Sequence, residues 1–457
     1  MRFALWVALA TLTGLAAAFP HQTILGDDGS IPGTPGYEPG VGHFSEWSRQ
    51  TKKAFLLDWQ AGRMSDWILV TTNEGGDTDS MTSALSWAYH LAHSTPNISN
   101  RTRAIALLQT RTDALDLRPE NKLALANSQM STGHSDLLTI DELPEDPETL
   151  SHKIHGIILV DHAKPLHRWK DAEILSIFDH HEDQGIAKDA KPRVIEKVAS
   201  CTTLVARQML DELEELPKEY HMPHELLELI LSAIAIDSKG LKSDKATDTD
   251  IEVSKRILAR SNWRKKDLYK VMKKLKKDLK KAEKDIDNLD LRDLIRRDYK
   301  ADLIDTPSPR TPTIFCGFAS IPYSMEQQIN KTEFQALFDW FAVEAAWTAE
   351  ARVDIDVTLT KYKVHDKHGK KRKIREIVLV VRDNVRIDEK QADSLFQTVS
   401  LALETDKGLN LRKWHRADEL SPRQMVWVQG EESDAGRKVV RPLVEKALME
   451  WDMPKEE

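Results

Sequence analysis

Short apolar runs that alternate with longer amphipathic patterns constrain the fold of this chain more than any other feature of its sequence. Between about residues 44 and 240, strand-like runs such as DWILVTT, RAIALLQT and HGIILVD are separated by helical patterns at Met81–His93, at Thr203–Leu213 and in HELLELILSAIAID. Strands separated by helices are typical of a parallel sheet that has helices on both faces. The sequence therefore predicts an α/β fold with a doubly wound parallel sheet in its first half.

The second half has a different pattern, which predicts a smaller α/β domain with a mixed sheet. Strand-like runs in TPTIFCGFASIP, RVDIDVTLTKYKV and REIVLVVRDN surround a helix around Phe334–Ala349, DKHGKKRK is typical of a hairpin, and a last helix follows near Arg441–Glu450. Between the halves, Leu268, Val271, Leu275 and Leu279 form an apolar stripe at helical spacing in a highly charged segment. The predicted boundaries are 44–247 for the first domain, 248–290 for a charged helical connector and 291–454 for the second domain.

Acidic and imidazole side chains stand at the C-terminal ends of the apolar runs in the first half. These positions are Asp77 and Asp79 after WILVTT, Asp161 after GIILV, His180 and His181 after ILSIFD, and Asp237 after LILSAIAI. Strand ends of a parallel sheet open on one crevice, so residues far apart in sequence can converge there. A single aspartate at such an end is more often a helix cap or a turn residue. A whole set of carboxylates with a histidine pair instead predicts a Mn²⁺ or Mg²⁺ site with catalytic function.

The N-terminus has the pattern of a secretory signal. In MRFALWVALATLTGLAAAFP, one arginine precedes an apolar stretch, and small residues lie where a signal peptidase cleaves. We expect a signal peptide at 1–18 and a Gly- and Pro-rich arm at 19–43. After cleavage the protein would be secreted or vacuolar and would have no membrane anchor. The alternative is an N-terminal segment that is not cleaved and anchors the protein in the membrane. Sequons at Asn97, Asn100 and Asn330 agree with passage through the secretory route.

The charge balance argues against a nucleic-acid partner. The chain has 73 acidic and 65 basic residues and a net charge of −8, so a polyanion must be bound by a local site and not by overall charge. The lysine-rich segment 264–281 is most simply a solvent-exposed helix face, and the alternative is a wall that attracts polyanions. The two cysteines, Cys201 and Cys316, are too few for a disulfide framework, and their pairing is left open.

The segment SCTTLVARQML offers two interpretations. Ser200 and Thr202 stand at the start of a predicted helix, where serine and threonine are good N-cap residues. Alternatively, the backbone amides of this turn approach a phosphate, as the N-termini of helices often do. Cys201 lacks an evident base and orienting group, which argues against a nucleophilic function.

Four short motifs carry a resemblance to a known family. GGDTDS, LVDHAKP, FDHHED and AIAIDS have the order and spacing of the motifs of the DHH phosphoesterase superfamily, which is named for the run seen here as Asp179, His180 and His181. In the second half, LRDLIRRDYK, GFASIPYSMEQQI and AGRKVVRPLVEKAL resemble the DHHA2 domain of family II pyrophosphatases and eukaryotic exopolyphosphatases. The resemblance covers nearly the whole chain after about residue 45, and the sequence is most similar to fungal exopolyphosphatases.

The resemblance implies roles for individual residues in a cleft between the two domains. Asp79, His180 and Asp237 would hold one divalent cation, Asp77 with help from Asn73 would hold a second, and Asp161 would bridge both. His181 would contact phosphate or orient a ligand. Lys300, Arg437 and Lys438 of the second domain would bind phosphates. Asn73 stands where a family II pyrophosphatase has a metal-binding histidine, so the second cation should be held more weakly. Gly436 replaces the serine that usually precedes the Arg-Lys pair, which removes a hydroxyl group.

The resemblance implies a metal-dependent exopolyphosphatase that uses two Mn²⁺ or Mg²⁺ ions to release orthophosphate from the ends of inorganic polyphosphate. One alternative within the superfamily is an inorganic pyrophosphatase or a hydrolase of short polyphosphates or nucleotides. A second alternative is an inactive phosphate-binding protein, which the complete set of ligand residues disfavours. DHH exonucleases carry a different second domain with a Gly-rich motif that this sequence lacks.

Overall fold

The structure is a computed structural model of the 457-residue chain. It describes residues 42–94, 103–131, 133–213, 222–365, 368–430 and 435–452. The expected signal peptide, nearly all of the expected arm, and the sequons at Asn97 and Asn100 lie outside these ranges.

A parallel sheet forms the centre of the first half. Its strands are β1 (Trp67–Thr71), β2 (Arg103–Leu108), β3 (Leu138–Thr139), β4 (Gly156–Val160), β5 (Ile174–Asp179) and β6 (Arg193–Ile195). They are arranged in the order β3-β2-β1-β4-β5-β6, and all neighbours run parallel. The order extends in both directions from β1, which confirms the predicted doubly wound sheet.

Helices cover both faces of this sheet. They are α1 (His43–Gln60), α2 (Thr78–Ser94), α3 (Pro119–Asn127), α4 (Pro147–Ser151), α5 (Cys201–Leu213), α6 (His224–Asp237), α7 (Asp248–Arg260) and α8 (Leu268–Ala282). Strand β4 shows how the core is divided, because its side chains alternate between the two faces. Ile158 and Val160 pack with α2, α5 and α6, whereas Ile157 and Leu159 pack with Phe55 of α1.

Helices α7 and α8 lie in the segment for which the sequence predicted a charged connector. The apolar stripe of α8 is buried as predicted, with Leu268, Val271, Leu275 and Leu279 in the same cluster as the residues of α6. Val253 and Ile257 of α7 join this cluster. Both helices therefore pack on the first core, while their lysines remain at the surface.

A mixed sheet forms the second half, as predicted. Its strands are β7 (Tyr299–Asp305), β8 (Thr313–Ile321), β9 (Ile355–Thr360), β12 (Glu376–Val381), β13 (Arg412–Lys413) and β14 (Gln424–Val428), in the order β13-β14-β12-β9-β8-β7. Only the β8–β9 pair is parallel within this described sheet. The expected hairpin is confirmed by the antiparallel pair β10 (Tyr362–His365) and β11 (Lys371–Ile374).

Helices again pack on both faces of the second sheet. They are α9 (Leu291–Arg297), α10 (Met325–Ile329), α11 (Leu337–Ala351), α12 (Glu389–Thr405) and α13 (Arg437–Met449). The predicted boundaries of two helices were wrong by a few residues. Helix α11 begins after Gln335, whose φ of 51° is not helical. Helix α13 begins at Arg437 and includes Pro442, near which the sequence had placed its start.

The C-terminal edge of the first sheet faces β7, the edge strand of the second sheet. Glu74, which follows β1, accepts a hydrogen bond from the amide of Ala301 at 3.0 Å. Arg296 of α9 forms two hydrogen bonds with Asp113 of the first half, at 2.7 and 3.0 Å. This contact places the side chains that follow the strands of the first sheet next to the second half.

Some of the features that bear on secretion lie within the described residues. Asn330 is exposed at the end of α10. Cys201 and Cys316 are both buried and unpaired. None of the helices in the described ranges is both long and apolar enough to span a bilayer.

The ring of Tyr299 in β7 lies so close to Gly317 of β8 that no side chain fits at Gly317. A Cβ atom on Gly317 would overlap with the hydroxyl oxygen of Tyr299. That hydroxyl donates a hydrogen bond to Asp356 at 2.8 Å, and the ring packs edge-on against Trp347. Tyr299 is thus held in one position, directly before Lys300.

We predict that Gly317→Ala destabilises the protein by at least about 2 kcal/mol, because the Tyr299 ring must move out of its packed position. Urea unfolding would measure the loss. Gly133→Ala is a matched control, since a Cβ atom at Gly133 would have no neighbouring atom within 4 Å, and it should change stability by less than about 0.5 kcal/mol. Equal effects of the two substitutions would contradict the described packing.

Candidate metal centre

Asp77 stands at the N-terminus of α2, directly after the turn that follows β1. Its Oδ1 accepts a hydrogen bond from the amide of Ser80 at 3.0 Å, as an N-cap residue does. Burial favours the neutral acid, but Arg118, the Ser80 amide and Lys300 together lower the pKa of Asp77 below its ordinary value. Asp77 is therefore both a helix cap and an ionised carboxylate.

Asp79 is bound to the N-terminus of α5. Its carboxylate accepts hydrogen bonds from the amides of Cys201 and Thr202, both at 2.7 Å, and from the hydroxyls of Ser200 at 2.6 Å and Thr202 at 2.7 Å. The hypothesis that these two amides bind phosphate is wrong in this structure, because Asp79 occupies them. Helix α5 thereby orients the Asp79 carboxylate, and its dipole favours the negative charge.

Asp161 follows β4 in a left-handed conformation, with a φ of 62°. Such a backbone is uncommon outside glycine and is concentrated at functional sites. Its Oδ1 lies 3.3 Å from Nε2 of His180 and 3.8 Å from Nδ1 of His181, yet this buried atom accepts no hydrogen bond from any described residue. A buried carboxylate oxygen without a donor is available to a cation.

The two histidines after β5 are held in different ways. His180 Nδ1 lies 3.1 Å from the carbonyl of Val198, which can only accept, so Nδ1 carries a hydrogen and Nε2 is the ring nitrogen that faces Asp161. His181 Nδ1 lies 2.7 Å from Asp179 Oδ1, which also accepts from the backbone amides of both histidines. Asp179 thus orients His181.

Asp237 is the last residue of α6, and it lies near the other carboxylates. Burial together with the charges of Asp79, Asp77 and Asp161 raises the pKa of Asp237 well above its ordinary value. Burial and the charges of Asp77 and Asp79 likewise raise the pKa of Asp161 to about 7. Burial opposes the charged form of His180, but its contact with Asp161 and the charge of Asp79 raise its pKa to about 10. The structure therefore brings the predicted carboxylates and His180 together.

The donor set fits a hard divalent cation. One oxygen of Asp161 and one nitrogen each of His180 and His181 lie within 4.8 Å of one another. Carboxylate oxygens with imidazole suit Mn²⁺ or Mg²⁺. A cation would also remove the mutual repulsion that raises the pKa values of Asp161 and Asp237.

Asn73 contacts the cluster through its amide nitrogen. Nδ2 donates to Asp161 Oδ2 at 2.6 Å and to the Asp161 carbonyl at 3.2 Å, while its Oδ1 accepts from the amide of Gly76 at 3.2 Å. The atom of Asn73 that could bind a cation is thus engaged by the backbone. In this structure Asn73 orients Asp161, and its expected metal contact remains a prediction.

Lys300 of the second half reaches the first motif. A Cβ atom on Gly75 would lie 2.9 Å from Cε of Lys300, so the absence of a side chain at Gly75 makes room for the lysine. The charge of Lys300 acts on Asp77, His162 and Asp298. The structure therefore places Lys300 beside the first motif, and its predicted phosphate contact stays a prediction.

Arg437 lies at the start of α13 and binds Asp298, two residues before Lys300. Its Nη2 donates to Asp298 Oδ1 at 3.0 Å and its Nη1 to the Asp298 carbonyl at 3.2 Å. Arg118 of the first half also approaches Asp298. Neither Arg118 nor Asp298 was predicted from the sequence, because neither residue follows an apolar run. Lys438 is exposed, and its predicted phosphate contact stays a prediction.

Two cavities lie outside the carboxylate cluster. One cavity of about 1270 Å³ runs along α8 over an apolar floor. Its charged lining residues are five lysines and four acidic residues: Lys266, Lys270, Lys274, Lys281, Lys284, Glu228, Asp267, Asp278 and Asp285. This mixture of charges does not favour the alternative that the lysines form a wall that attracts polyanions. The other, of about 1050 Å³, lies between the halves and is lined by Tyr299, Ala301 and Leu303 of β7. Because side chains alternate along a strand, Lys300 lies on the opposite face of β7 from this cavity.

Two family models match the chain. The DHH family, N-terminal domain, matches residues 67–234, and the DHHA2 domain matches residues 277–447. The first match covers β1 to β6 and most of α6, and Asp237 lies three residues beyond it. The second match contains Lys300, Arg437 and Lys438.

Individual proteins are also similar to this chain. A Schizosaccharomyces pombe protein assigned as an exopolyphosphatase is 30% identical over 272 residues, which are 57% of this chain and 67% of that protein. The manganese-dependent inorganic pyrophosphatase of Bacillus subtilis is 31% identical over 120 residues, or 25% of this chain and 37% of that protein. A solved structure from Methanococcus jannaschii, assigned as a family II inorganic pyrophosphatase, has a TM-score of 0.50 at 18% identity and covers 84% of this chain and 99% of that one. The structural likeness supports the fold.

We predict that Asp161→Asn abolishes the rise in melting temperature on Mn²⁺ addition and stabilises the metal-free protein at pH 8. A raised pKa means that the Asp161 contribution to stability is present at low pH and is lost as the pH rises through about 7. The gain from asparagine should therefore be larger at pH 8 than at pH 5.5. Thermal unfolding in chelator and in Mn²⁺ would measure both effects.

Asp189→Asn is the matched control, because Asp189 is an exposed aspartate outside the cluster. This variant should keep the Mn²⁺ response of the wild type. A wild-type response to Mn²⁺ in Asp161→Asn would place the metal elsewhere.

Proposed function

This chain belongs to the DHH family and carries a DHHA2 domain, and we propose that it is a metal-dependent exopolyphosphatase. It would hydrolyse the terminal phosphoanhydride bond of inorganic polyphosphate and release orthophosphate. The observation that carries the proposal is the convergence of four aspartates and two histidines at the edge of the first sheet, directly opposite Lys300 of the second half. The similarity to the Schizosaccharomyces pombe protein supports this substrate over others.

The residues that would hold the cofactor follow from the donor set. We propose that Asp79, His180 and Asp237 hold one divalent cation, that Asp77 holds a second, and that Asp161 contacts both. Mn²⁺ is supported by the manganese-dependent relatives, and Mg²⁺ binds the same oxygen-rich ligands. Bound cations of this kind neutralise charge on the attacked phosphoryl group and lower the pKa of a water molecule.

The residues of the chain would bind and orient the substrate around this centre. Lys300 and Arg437 offer cationic donors to the phosphate oxygens, which carry the negative charge that grows on the leaving group. Asp179 fixes His181 Nδ1, so that His181 Nε2 is available to a phosphate oxygen. Because Lys300 and Arg437 belong to the second half, relative movement of the two halves would change the distance between these two side chains and the bound substrate.

Hydrolysis of pyrophosphate or of short polyphosphates is the second candidate. It is supported by the similarity to pyrophosphatases over about a quarter of the chain. Asn73 argues against it, because its amide nitrogen donates to Asp161 and provides no imidazole ligand. An inactive binding protein is disfavoured, since all the carboxylates of the cluster are present.

We predict that the protein releases orthophosphate in Mn²⁺ or Mg²⁺ from tripolyphosphate and long polyphosphate faster than from pyrophosphate, and that a chelator stops the release. Lys300→Gln should raise the KM for tripolyphosphate about tenfold, because a charged phosphate contact is lost. Lys331→Gln is the control, since Lys331 lies over the Tyr323 ring and bonds the carbonyls of Asp287 and Leu289. Release from pyrophosphate alone would favour the second candidate, and no release from any substrate would favour a binding function.

We also propose that residues 1–18 direct the chain into the secretory route and that the mature protein is secreted or vacuolar. The support is the charge and hydropathy pattern of the N-terminus together with the exposed sequon at Asn330. Mass spectrometry of the protein purified from its native source should find an N-terminus near residue 19 and a glycan on Asn330. An intact N-terminus beginning at Met1 would refute this proposal.

A further inference from the structure

Asp298 joins two arginines that come from different halves of the chain. Its Oδ1 lies 3.0 Å from Arg437 Nη2 and 3.5 Å from Arg118 Nη2. Arg118 stands immediately before α3 in the first half, and only 11% of its side chain is exposed. A guanidinium is thus held at the domain boundary with a single carboxylate between it and Arg437.

The same charges act on the proposed metal centre. Burial works against the ionised forms of Asp77 and Asp298, but Arg118 and Lys300 lower the pKa of both carboxylates. Arg118 and Lys300 therefore act on both Asp77 and Asp298, and Arg437 and Arg118 contact Asp298 directly. Glu120, at 3.3 Å from Arg118 Nη1, is the second carboxylate partner of Arg118.

The charge balance of this region changes when the centre binds cations. Without a cation, Asp77, Asp298 and Glu120 face Arg118, Lys300 and Arg437, and Glu120 also pairs with Arg297 at 3.1 Å. Once Asp77 binds a divalent cation, that cation neutralises the negative charge of Asp77, and the region carries an excess of positive charge. A guanidinium presents paired N–H groups that match two oxygens of a phosphate, just as they match a carboxylate.

We propose that Arg118 is a substrate-binding residue contributed by the first half, and that Asp298 takes the place of a substrate phosphate between Arg118 and Arg437 when no substrate is bound. The proposal rests on the proposed hydrolysis of phosphoanhydrides. A phosphate group that enters beside Asp77 displaces the Asp298 carboxylate from the two arginines. Binding of substrate and the contact between the halves are thereby coupled.

The interdomain ion pair of Arg296 and Asp113 offers a matched control. Arg296 is also an arginine at the boundary with a nearly buried side chain, and it forms two hydrogen bonds with a carboxylate of the other half. It shares no partner with Asp298. Loss of Arg296 therefore removes a similar interdomain contact without removing a group from the region beside Asp77.

The test measures steady-state hydrolysis of tripolyphosphate in Mn²⁺ and, by calorimetry, the binding of inorganic phosphate to the Mn²⁺-loaded protein. Both measurements are made on the wild type and on four variants: Arg118→Gln, Arg118→Lys, Arg296→Gln and Asp298→Asn. Arg118→Gln should raise the KM and weaken phosphate binding about tenfold or more, with a normal melting-temperature response to Mn²⁺. Arg118→Lys, which keeps the charge but lacks the paired N–H groups, should fall between Gln and wild type. Arg296→Gln should stay within about twofold of wild type, and Asp298→Asn should lower the KM severalfold because the competing carboxylate is neutralised.

Three results would overturn the inference. Arg118→Gln with wild-type KM and wild-type phosphate affinity would show that Arg118 does not bind the substrate, as would an equal effect of Arg296→Gln. A higher KM in Asp298→Asn would show that Asp298 organises the arginines and does not compete with phosphate. The titration separates this inference from the proposed function: an inactive wild type that binds phosphate in an Arg118-dependent way would refute the hydrolysis alone.

Discussion

Repulsion among buried carboxylates at the C-terminal edge of the first sheet is the constraint on which the rest of the structure depends. Burial and neighbouring charges raise the pKa values of Asp161 and Asp237, so the cluster is unfavourable when it is fully ionised and empty of cations. Folding keeps the carboxylates together, and three of them are fixed by different donors. Asp77 caps α2, Asp79 is bound by the start of α5, and Asp161 is held by Asn73. An arrangement of this kind is stabilised by divalent cations.

The second half complements this negative cluster with positive charge. Tyr299 is fixed by Asp356 and by the close approach of Gly317, and the next residue along β7, Lys300, reaches the first motif at Gly75. Asp298, one residue before Tyr299, binds Arg437 and approaches Arg118. A single edge strand and the residue before it therefore connect Lys300 and Arg437 of the second half with Arg118 of the first. In this account, the metal centre lies in the first half, and the binding of phosphate depends on how the two halves contact each other.

Sequence alone predicted those features that depend on local pattern. The alternation of strand-like and helical patterns predicted the parallel sheet, and the apolar stripe of α8 predicted which face of that helix is buried. The aspartates that follow apolar runs predicted the carboxylates of the cluster. Contacts between distant segments were not predictable in this way. Asp79 binds Thr202 across 123 residues, which left the amides of α5 open to a wrong assignment to phosphate. Arg118 was missed because its proximity to Asp298 depends on the meeting of two sheets, and no local periodicity encodes that meeting.

The most direct test of the central claim is the position of manganese in crystals of the protein grown with Mn²⁺, located by anomalous diffraction at the manganese absorption edge. The account predicts anomalous peaks between the carboxylates of Asp77, Asp79, Asp161 and Asp237, with His180 Nε2 as a nitrogen ligand. Peaks confined to other acidic sites, with this cluster free of manganese at saturating concentration, would contradict the assignment of the metal centre.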